Sequence, residues 1–213
     1  MSSPKYQFSQ CTNPECRLRF PLDPSIHSGQ YCPLCGAPME IAAQVYASTP
    51  PTAPFTQKPI RVAALLDNIR SALNVGSAFR IADGAGLTHL YLCGITPTPE
   101  ENESIAKTSL GAELIISWSQ HRNALDLADS LKEQGTLMIA LESTPNALSI
   151  YDFQLHTSVT QQIVLMIGSE TAGVDPALLE LCDHVLTIPM RGKKESLNAA
   201  VAFGIAAYFL TRP

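Results

Sequence analysis

The sequence has no apolar run of the roughly 18 residues needed to cross a bilayer, and its first ten residues, MSSPKYQFSQ, carry no hydrophobic stretch of signal-peptide length. Neither membrane spanning nor secretion is expected, and the cytoplasm is the expected compartment. Basic side chains are also scarce, with 14 Lys and Arg against 19 Asp and Glu. That balance excludes a protein that gathers polyanions through its overall charge, so any contact with nucleic acid requires a local basic patch. The shortage is uneven: residues 1–59 hold 4 basic and 3 acidic side chains, which leaves 10 and 16 for residues 60–213. Internal repeats and low-complexity tracts are absent. So is the Gly-x-Gly-x-x-Gly of a standard dinucleotide site after the first strand-like segment. Gly168-x-x-x-x-Gly173 offers half of a phosphate-cradling loop, but Val174 and Asp175 stand where Lys and Ser or Thr are required.

What is present begins with cysteine. Four of the six cysteines fall within residues 11–35, while Cys93 and Cys182 lie far apart in apolar contexts and read as buried thiols. Cys11 and Cys16 are separated by four residues, Cys32 and Cys35 by two, and fifteen residues connect the pairs. Tetrahedral thiolate coordination needs two short chelating turns joined by a loop, and this spacing supplies them. Pro33 stiffens the second turn and Gly36 lets the chain leave it. Two disulfides are the alternative, disfavoured in a reducing compartment. Four thiolates leave no open coordination position, so the expected zinc is structural. His27 is a substitute ligand or a solvated loop histidine, and Lys5, Arg17 and Arg19 either contact a nucleic acid or serve solubility.

Residues 1–41 therefore read as a zinc ribbon. Residues 42–59 contain Pro50, Pro51, Pro54 and Pro59, which lack backbone N–H groups and favour an extended path, so this stretch reads as a linker. From residue 60 onward short apolar runs alternate with helical periodicity. Strands are expected at 60–67, 88–94, 113–118, 136–142, 163–168 and 184–189, with helices at about 75–85 and at 120–134. Strands separated by helices imply an α/β domain with a mainly parallel sheet covered on both faces. The last segment, SLNAAVAFGIAAYFL, is apolar nearly all round and is expected to be a buried or oligomer-forming helix.

Three segments place small and polar residues at strand ends, where parallel sheets keep their ligand sites: 67–86, 167–175 and 188–202. Within them lie Asn74-x-Gly76-x-x-x-Arg80 with Ala82-Asp83 and Gly86, then Gly168-x-Glu170-x-x-Gly173, then Ile188-Pro189-Met190 with Ser196-Leu197-Asn198. In order, spacing and strand-end position these resemble the three motifs of the SpoU, or TrmH-type, RNA ribose methyltransferases of the SPOUT superfamily. Ser109-Gly111-Ala112 fits a secondary pattern of that family, and the likeness covers roughly residues 60–211. One departure is Ala199-Ala200 after Ser-Leu-Asn, where the family commonly has a further serine, which removes one supporting hydrogen bond.

The resemblance implies a trefoil knot near the C-terminus, which ordinary topology rules would argue against. It also implies S-adenosylmethionine bound in the knot loops, a homodimer that completes each active site, and transfer of a methyl group to a ribose 2'-hydroxyl of tRNA or rRNA. Leu141, Gly168, Ile188, Ser196 and Leu197 would line the cofactor pocket, with Leu141 and Ile188 also readable as ordinary core. Arg80 matches the family's catalytic arginine. Because a guanidinium holds its proton up to a pKa above about 12, orienting the ribose and stabilising a developing alkoxide suit it better than acting as a base. Asn74, Glu170 and Asn198 would position Arg80 and the hydroxyl; a helix N-cap is the plainer role for Asn74 and an ion-pair partner for Glu170. Arg191, Lys193 and Lys194 form the densest positive cluster, placed for phosphate contacts. A non-catalytic RNA- or ribosome-binding protein of the same fold and a base-methylating SPOUT enzyme are the alternatives. The intact Arg80, Glu170 and Asn198 speak against the first, and the Asn-x-Gly-x-x-x-Arg pattern against the second.

Overall fold

The computed structural model describes residues 6–45, 61–155 and 162–212. The chain divides into two compact units, Met1–Thr56 and Gln57–Pro213. Most of the expected linker, residues 46–59, lies outside the described residues, and its first three positions belong instead to a strand that runs to Gln44.

The first unit is a three-stranded antiparallel sheet of β1 (Gln7–Cys11), β2 (Arg19–Leu22) and β3 (Met39–Gln44), in the order β2-β1-β3. Its described apolar core amounts to Cys11, Leu22 and Cys32. So small a core needs a covalent or metal staple to hold its shape.

The second unit is built on a seven-stranded sheet. Its strands are β4 (Arg61–Asp67), β5 (Leu90–Cys93), β6 (Trp118–His121), β7 (Leu137–Leu141), β8 (Leu148–Ser149), β9 (Gln162–Ile167) and β10 (His184–Thr187), in the order β6-β5-β4-β9-β7-β10-β8. Every pairing is parallel. The central strands read as unbroken apolar runs because both faces are covered. Val62, Ala64 and Leu66 of β4 and Ile163, Leu165 and Ile167 of β9 face one cluster, which takes in α1 (Ala72–Ala85) and α5 (Ala199–Thr211). Ala63, Leu65, Val164 and Met166 face the other, which takes in α3 (Ala124–Glu133) and α4 (Pro176–Leu181). The expected α/β class and mainly parallel sheet are thus present. Leu141 at the end of β7 and Leu148 at the start of β8 both pair with Leu186 of β10, from opposite sides. Residues 142–147 therefore carry the chain across β10 from one flank to the other.

Three element expectations need correction. The apolar run 113–118 is not a strand: it opens in a 3₁₀ turn, Ala112–Leu114, and pairing begins only at Trp118. Left-handed backbone at Leu110 and Gly111 turns the chain there, and Leu114 and Ile115 are left 85% and 71% exposed. The helix expected from 120 starts at Ala124 behind an Asn123 cap, since residues 118–121 are taken by β6. Helix α1 starts three residues before Val75, capped by Ser71, whose hydroxyl accepts the Asn74 N–H; Asn74 is therefore not the N-cap. The short helix α2 (Ala106–Ser109), like α4, was not legible in the periodicity. Cys93 is fully buried and Cys182 half-buried, and burial pushes both thiols up to about 12. Among the described residues no helix is long and apolar enough to cross a membrane.

Candidate functional site

In the first unit the four cysteines converge. Cys11 closes β1, and the turn that follows brings Cys16 back through hydrogen bonds from Cys16 N–H and Arg17 N–H to the Asn13 carbonyl, with Arg17 in left-handed backbone at φ 49°. The second turn repeats the device: Gly36, at φ 74°, donates to the Cys32 carbonyl, and the Leu34 N–H points at the Cys32 sulfur at 3.4 Å. All four sulfurs lie within 4.8 Å of one another, with Cys11–Cys35 at 3.4 Å and Cys16–Cys32 at 3.8 Å. Thiolates about 2.3 Å from a tetrahedral zinc would sit about 3.8 Å apart, so the cluster has the size the ion requires. Burial drives the Cys11 thiol up to about 12, whereas at Cys32 the Cys35 and Leu34 N–H donors and the Cys16 and Cys35 thiols outweigh burial and hold it at about 7. Backbone N–H groups aimed at a sulfur favour thiolate. His27 is exposed and outside the cluster.

In the second unit the strand ends form a cavity of about 470 Å³. Leu141, Gly168, Ile188, Ser196 and Leu197, the five residues expected there, all line it. Gly168 is required sterically, because a Cβ would stand 2.1 Å from the Gly173 carbonyl oxygen. Glu142, a lining residue that sequence reasoning missed, accepts the N–H groups of Val174 and Ser143, both at 2.8 Å, and so ties the end of β7 to the loop after β9. Its signal was available: it is a polar residue at the C-terminal end of a buried parallel strand.

Beside the cavity a chain of hydrogen bonds joins the three motif loops. Glu170 accepts the Arg70 N–H at 2.9 Å, the Ser71 N–H at 3.2 Å and Asn74 Nδ2 at 2.9 Å. Asn198 Nδ2 donates to Asn74 Oδ1 at 3.1 Å, while Asn198 Oδ1 caps α5 by accepting from Ala200 and Val201. Partial burial is the largest influence on the Glu170 carboxyl and opposes its charge, but the Arg70, Asn74 and Ser71 donors together outweigh it and hold its pKa below the ordinary value. Glu170 is a hydrogen-bond acceptor here rather than an ion-pair partner.

Arg80 does not join this chain. It lies six residues beyond Asn74 on α1, a rise of about 9 Å, and lines a separate concavity with Ser77, Ile81, Lys107, Thr108 and Tyr208. Within the chain, then, Asn74, Glu170 and Asn198 are brought together and Arg80 is not held by them. Arg191, Lys193 and Lys194 are exposed on the loop between β10 and α5, flanked by the cavity residues Met190 and Glu195.

Comparison with known proteins gives this geometry a setting. The SpoU rRNA Methylase family model matches residues 61–208. The 23S rRNA (guanosine(2553)-2'-O)-methyltransferase RlmP of Bacillus subtilis is 33% identical over 150 residues, 70% of this chain and 58% of its own length. The 23S rRNA (uridine(2479)-2'-O)-methyltransferase of Streptomyces viridochromogenes is 29% identical over 182 residues, 83% of this chain and 61% of its own. The crystal structure of an AdoMet-bound rRNA methyltransferase from Sinorhizobium meliloti superposes with a TM-score of 0.65 at 26% identity, over 71% of this chain and 56% of that one. The chain spans a little under two thirds of the length of the curated relatives it matches, and the family match lies wholly within the second unit.

Proposed function

The chain belongs to the SpoU rRNA Methylase family, and from that membership we propose that it is an S-adenosylmethionine-dependent RNA (ribose-2'-O)-methyltransferase acting in the cytoplasm on tRNA or rRNA. The observation that carries the reading is the Glu170–Asn74–Asn198 chain set beside a cavity lined by all five expected cofactor residues. The named activities of the relatives support it. At about 470 Å³ the cavity has the size of a small-molecule site. Its lining includes Glu142, Glu170 and Glu195 and, among the described residues, no Lys or Arg, which suits a positively charged sulfonium donor.

When bound, S-adenosylmethionine supplies an electrophilic methyl group for the ribose 2'-oxygen. The chain's own residues bind and orient. Gly168, Ile188, Ser196, Leu197 and Leu141 hold the donor. Asn74, fixed from one side by Glu170 and from the other by Asn198, orients the hydroxyl. Arg80 stabilises the negative charge that develops on the 2'-oxygen, whose proton passes to solvent as the new carbon–oxygen bond replaces the carbon–sulfur bond. Because Arg80 stands apart from the cavity on its own protomer, it serves the cavity of a second copy, and the working state is a homodimer. Exposed Leu73 on α1 and Val201, Ile205 and Tyr208 on α5 offer an apolar face for that association. The passage of residues 142–147 across β10 supports a C-terminal trefoil knot. Residues 1–44 form a zinc ribbon with Zn2+ on Cys11, Cys16, Cys32 and Cys35, and residues 60–213 the methyltransferase domain. Arg191, Lys193 and Lys194 contact RNA phosphates.

The test is transfer of labelled methyl from S-adenosylmethionine to tRNA or rRNA, followed by digestion to nucleosides. Label in 2'-O-methyl nucleosides is expected. Label confined to bases would make the protein a base-methylating relative, and binding of RNA without transfer would make it a non-catalytic one.

A further inference from the structure

Two of the five histidines meet at an edge of the parallel sheet, and neither lines the cavity proposed for the methyl donor. Strand β6 is the outermost strand on that side, paired with β5. Tyr91 of β5 stands opposite Ser119 of β6. His89 lies two residues before Tyr91, and His121 two residues after Ser119. Side chains alternate between the faces of a strand, so all four project from the same face.

There they close around one point. Ser119 Oγ lies 2.8 Å from His89 Nε2 and 2.9 Å from His121 Nε2. The hydroxyl has a single proton, so it donates to one ring and accepts from the other. The Tyr91 ring packs beside both, its centroid 4.5 Å from that of His89 and 5.7 Å from that of His121, and so limits how far either imidazole can swing. All four side chains are half-buried. Among the described residues neither histidine makes an ion pair, so no carboxylate competes for either ring. One histidine would satisfy the serine proton; the second brings another ring nitrogen to the same point.

We propose that His89 and His121, with Ser119 as a weaker third ligand, form a binding site for a late first-row divalent transition-metal ion such as Zn2+ or Ni2+. Small rotations of the two rings bring both nitrogens to the distance of about 2.0 to 2.1 Å that such an ion requires. Imidazole selects this class of ion, whereas Mg2+ and Ca2+ require carboxylate or carbonyl oxygens, which the trio lacks. Water completes the coordination. Two imidazoles hold an ion far more weakly than four thiolates, so the site loads when metal is added and yields it to a chelator. The ion fastens the short edge strand β6 to β5 without being needed for the fold, and the site is independent of the methyltransferase reading.

The test uses the full chain, saturated with Zn2+ at the four cysteines beforehand, so that added Ni2+ meets only nitrogen and oxygen ligands. Calorimetry should record one Ni2+ per chain, and the ring resonances of His89 and His121 should move or broaden together up to one equivalent. An excess of Mg2+ should leave both signals unchanged. His89→Gln and His121→Gln should each lower Ni2+ affinity by more than about a hundredfold, beyond the range that supporting contacts contribute at metal sites. Ser119→Ala, which exchanges a weak hydroxyl ligand for water, should cost about tenfold, the low end of that range. With free Ni2+ about ten times its dissociation constant, the melting temperature of the wild-type second unit should rise by about 3 to 6 °C. The same addition should leave His121→Gln unshifted, and S-adenosylmethionine affinity should be equal in all four proteins. Absence of Ni2+ binding in wild type, or histidine resonances that stay in place while Ni2+ binds, would overturn the site without recourse to any variant. Wild-type Ni2+ affinity in both glutamine variants would overturn it as well, by placing the ion elsewhere.

Discussion

Residues 6–45 and residues 61–212 are held together by opposite means. The first unit buries three apolar side chains among its described residues, two of them cysteines of the sulfur cluster, so its shape hangs on whatever the four sulfurs hold. The second buries an apolar cluster on each face of a seven-stranded parallel sheet and needs no ligand to define its core. In the first unit, chemistry makes the fold. In the second, the fold leaves polar residues at strand ends and makes chemistry possible.

The sharpest way to break this comparison is to remove the zinc proposed for the first unit. Structural zinc in small modules is worth about 10 to 16 kcal/mol of apparent binding energy, far more than so small a core supplies. A strong chelator, or Cys32→Ser, should abolish the dispersed resonances of residues 6–45 and leave the thermal melt of the second unit unchanged. A first unit that stays folded with less than half a zinc per chain would contradict the account.

Next in size is Arg80→Ala. Loss of charge stabilisation at a developing oxyanion costs about a hundredfold to a thousandfold, so single-turnover methylation should fall by that much with folding and S-adenosylmethionine affinity intact. Gly168→Arg should do the reverse, filling the cavity and removing donor binding measured by calorimetry. Mixing the two inactive variants should restore activity to about a quarter of wild type, because half the dimers are mixed and each has one site with neither defect. No recovery on mixing would mean that Arg80 serves its own protomer.

A smaller effect concerns pH. The Glu170 carboxyl is held below its ordinary value, so the contact of its carboxylate with Arg70, Ser71 and Asn74 is complete above the unfolded value of about 4.3 and is lost as pH falls through the lowered folded value. Donor affinity and protection of the Arg70 and Ser71 amides should be flat at neutral pH and fall only in acid. Glu170→Gln should remove that acid limb. Smallest is the basic loop: Lys193→Ala and Lys194→Ala should each lower the salt slope of RNA binding by roughly one unit or less.

How much of this was legible beforehand differs between the two units for physical reasons. Metal-ligand spacing is local, so Cys11, Cys16, Cys32 and Cys35 pointed to their cluster without any knowledge of the sheet. The parallel sheet was legible too, because strands buried on both faces are continuous apolar runs. The run 113–118 misled for the same reason: apolar content does not reveal whether a partner strand is within reach, and backbone turns at Leu110 and Gly111 withhold one. The pairing of Asn74 with Glu170 and Asn198, 96 and 124 residues away, was legible only through motif resemblance. Glu142 escaped because its role depends on what packs beside it. The position of Arg80, apart from the polar chain, follows from helix geometry once the true start of α1 is fixed.

The most direct measurement is a map of ribose methylations in total RNA from cells with the gene, without it, and with Arg80→Ala in its place. Positions resistant to alkaline cleavage in wild type should lose that resistance, at one site or a few, in both the deletion and the Arg80→Ala strain. Identical ribose maps in all three strains, or a loss confined to base methylation, would contradict the assignment of this chain as a ribose methyltransferase.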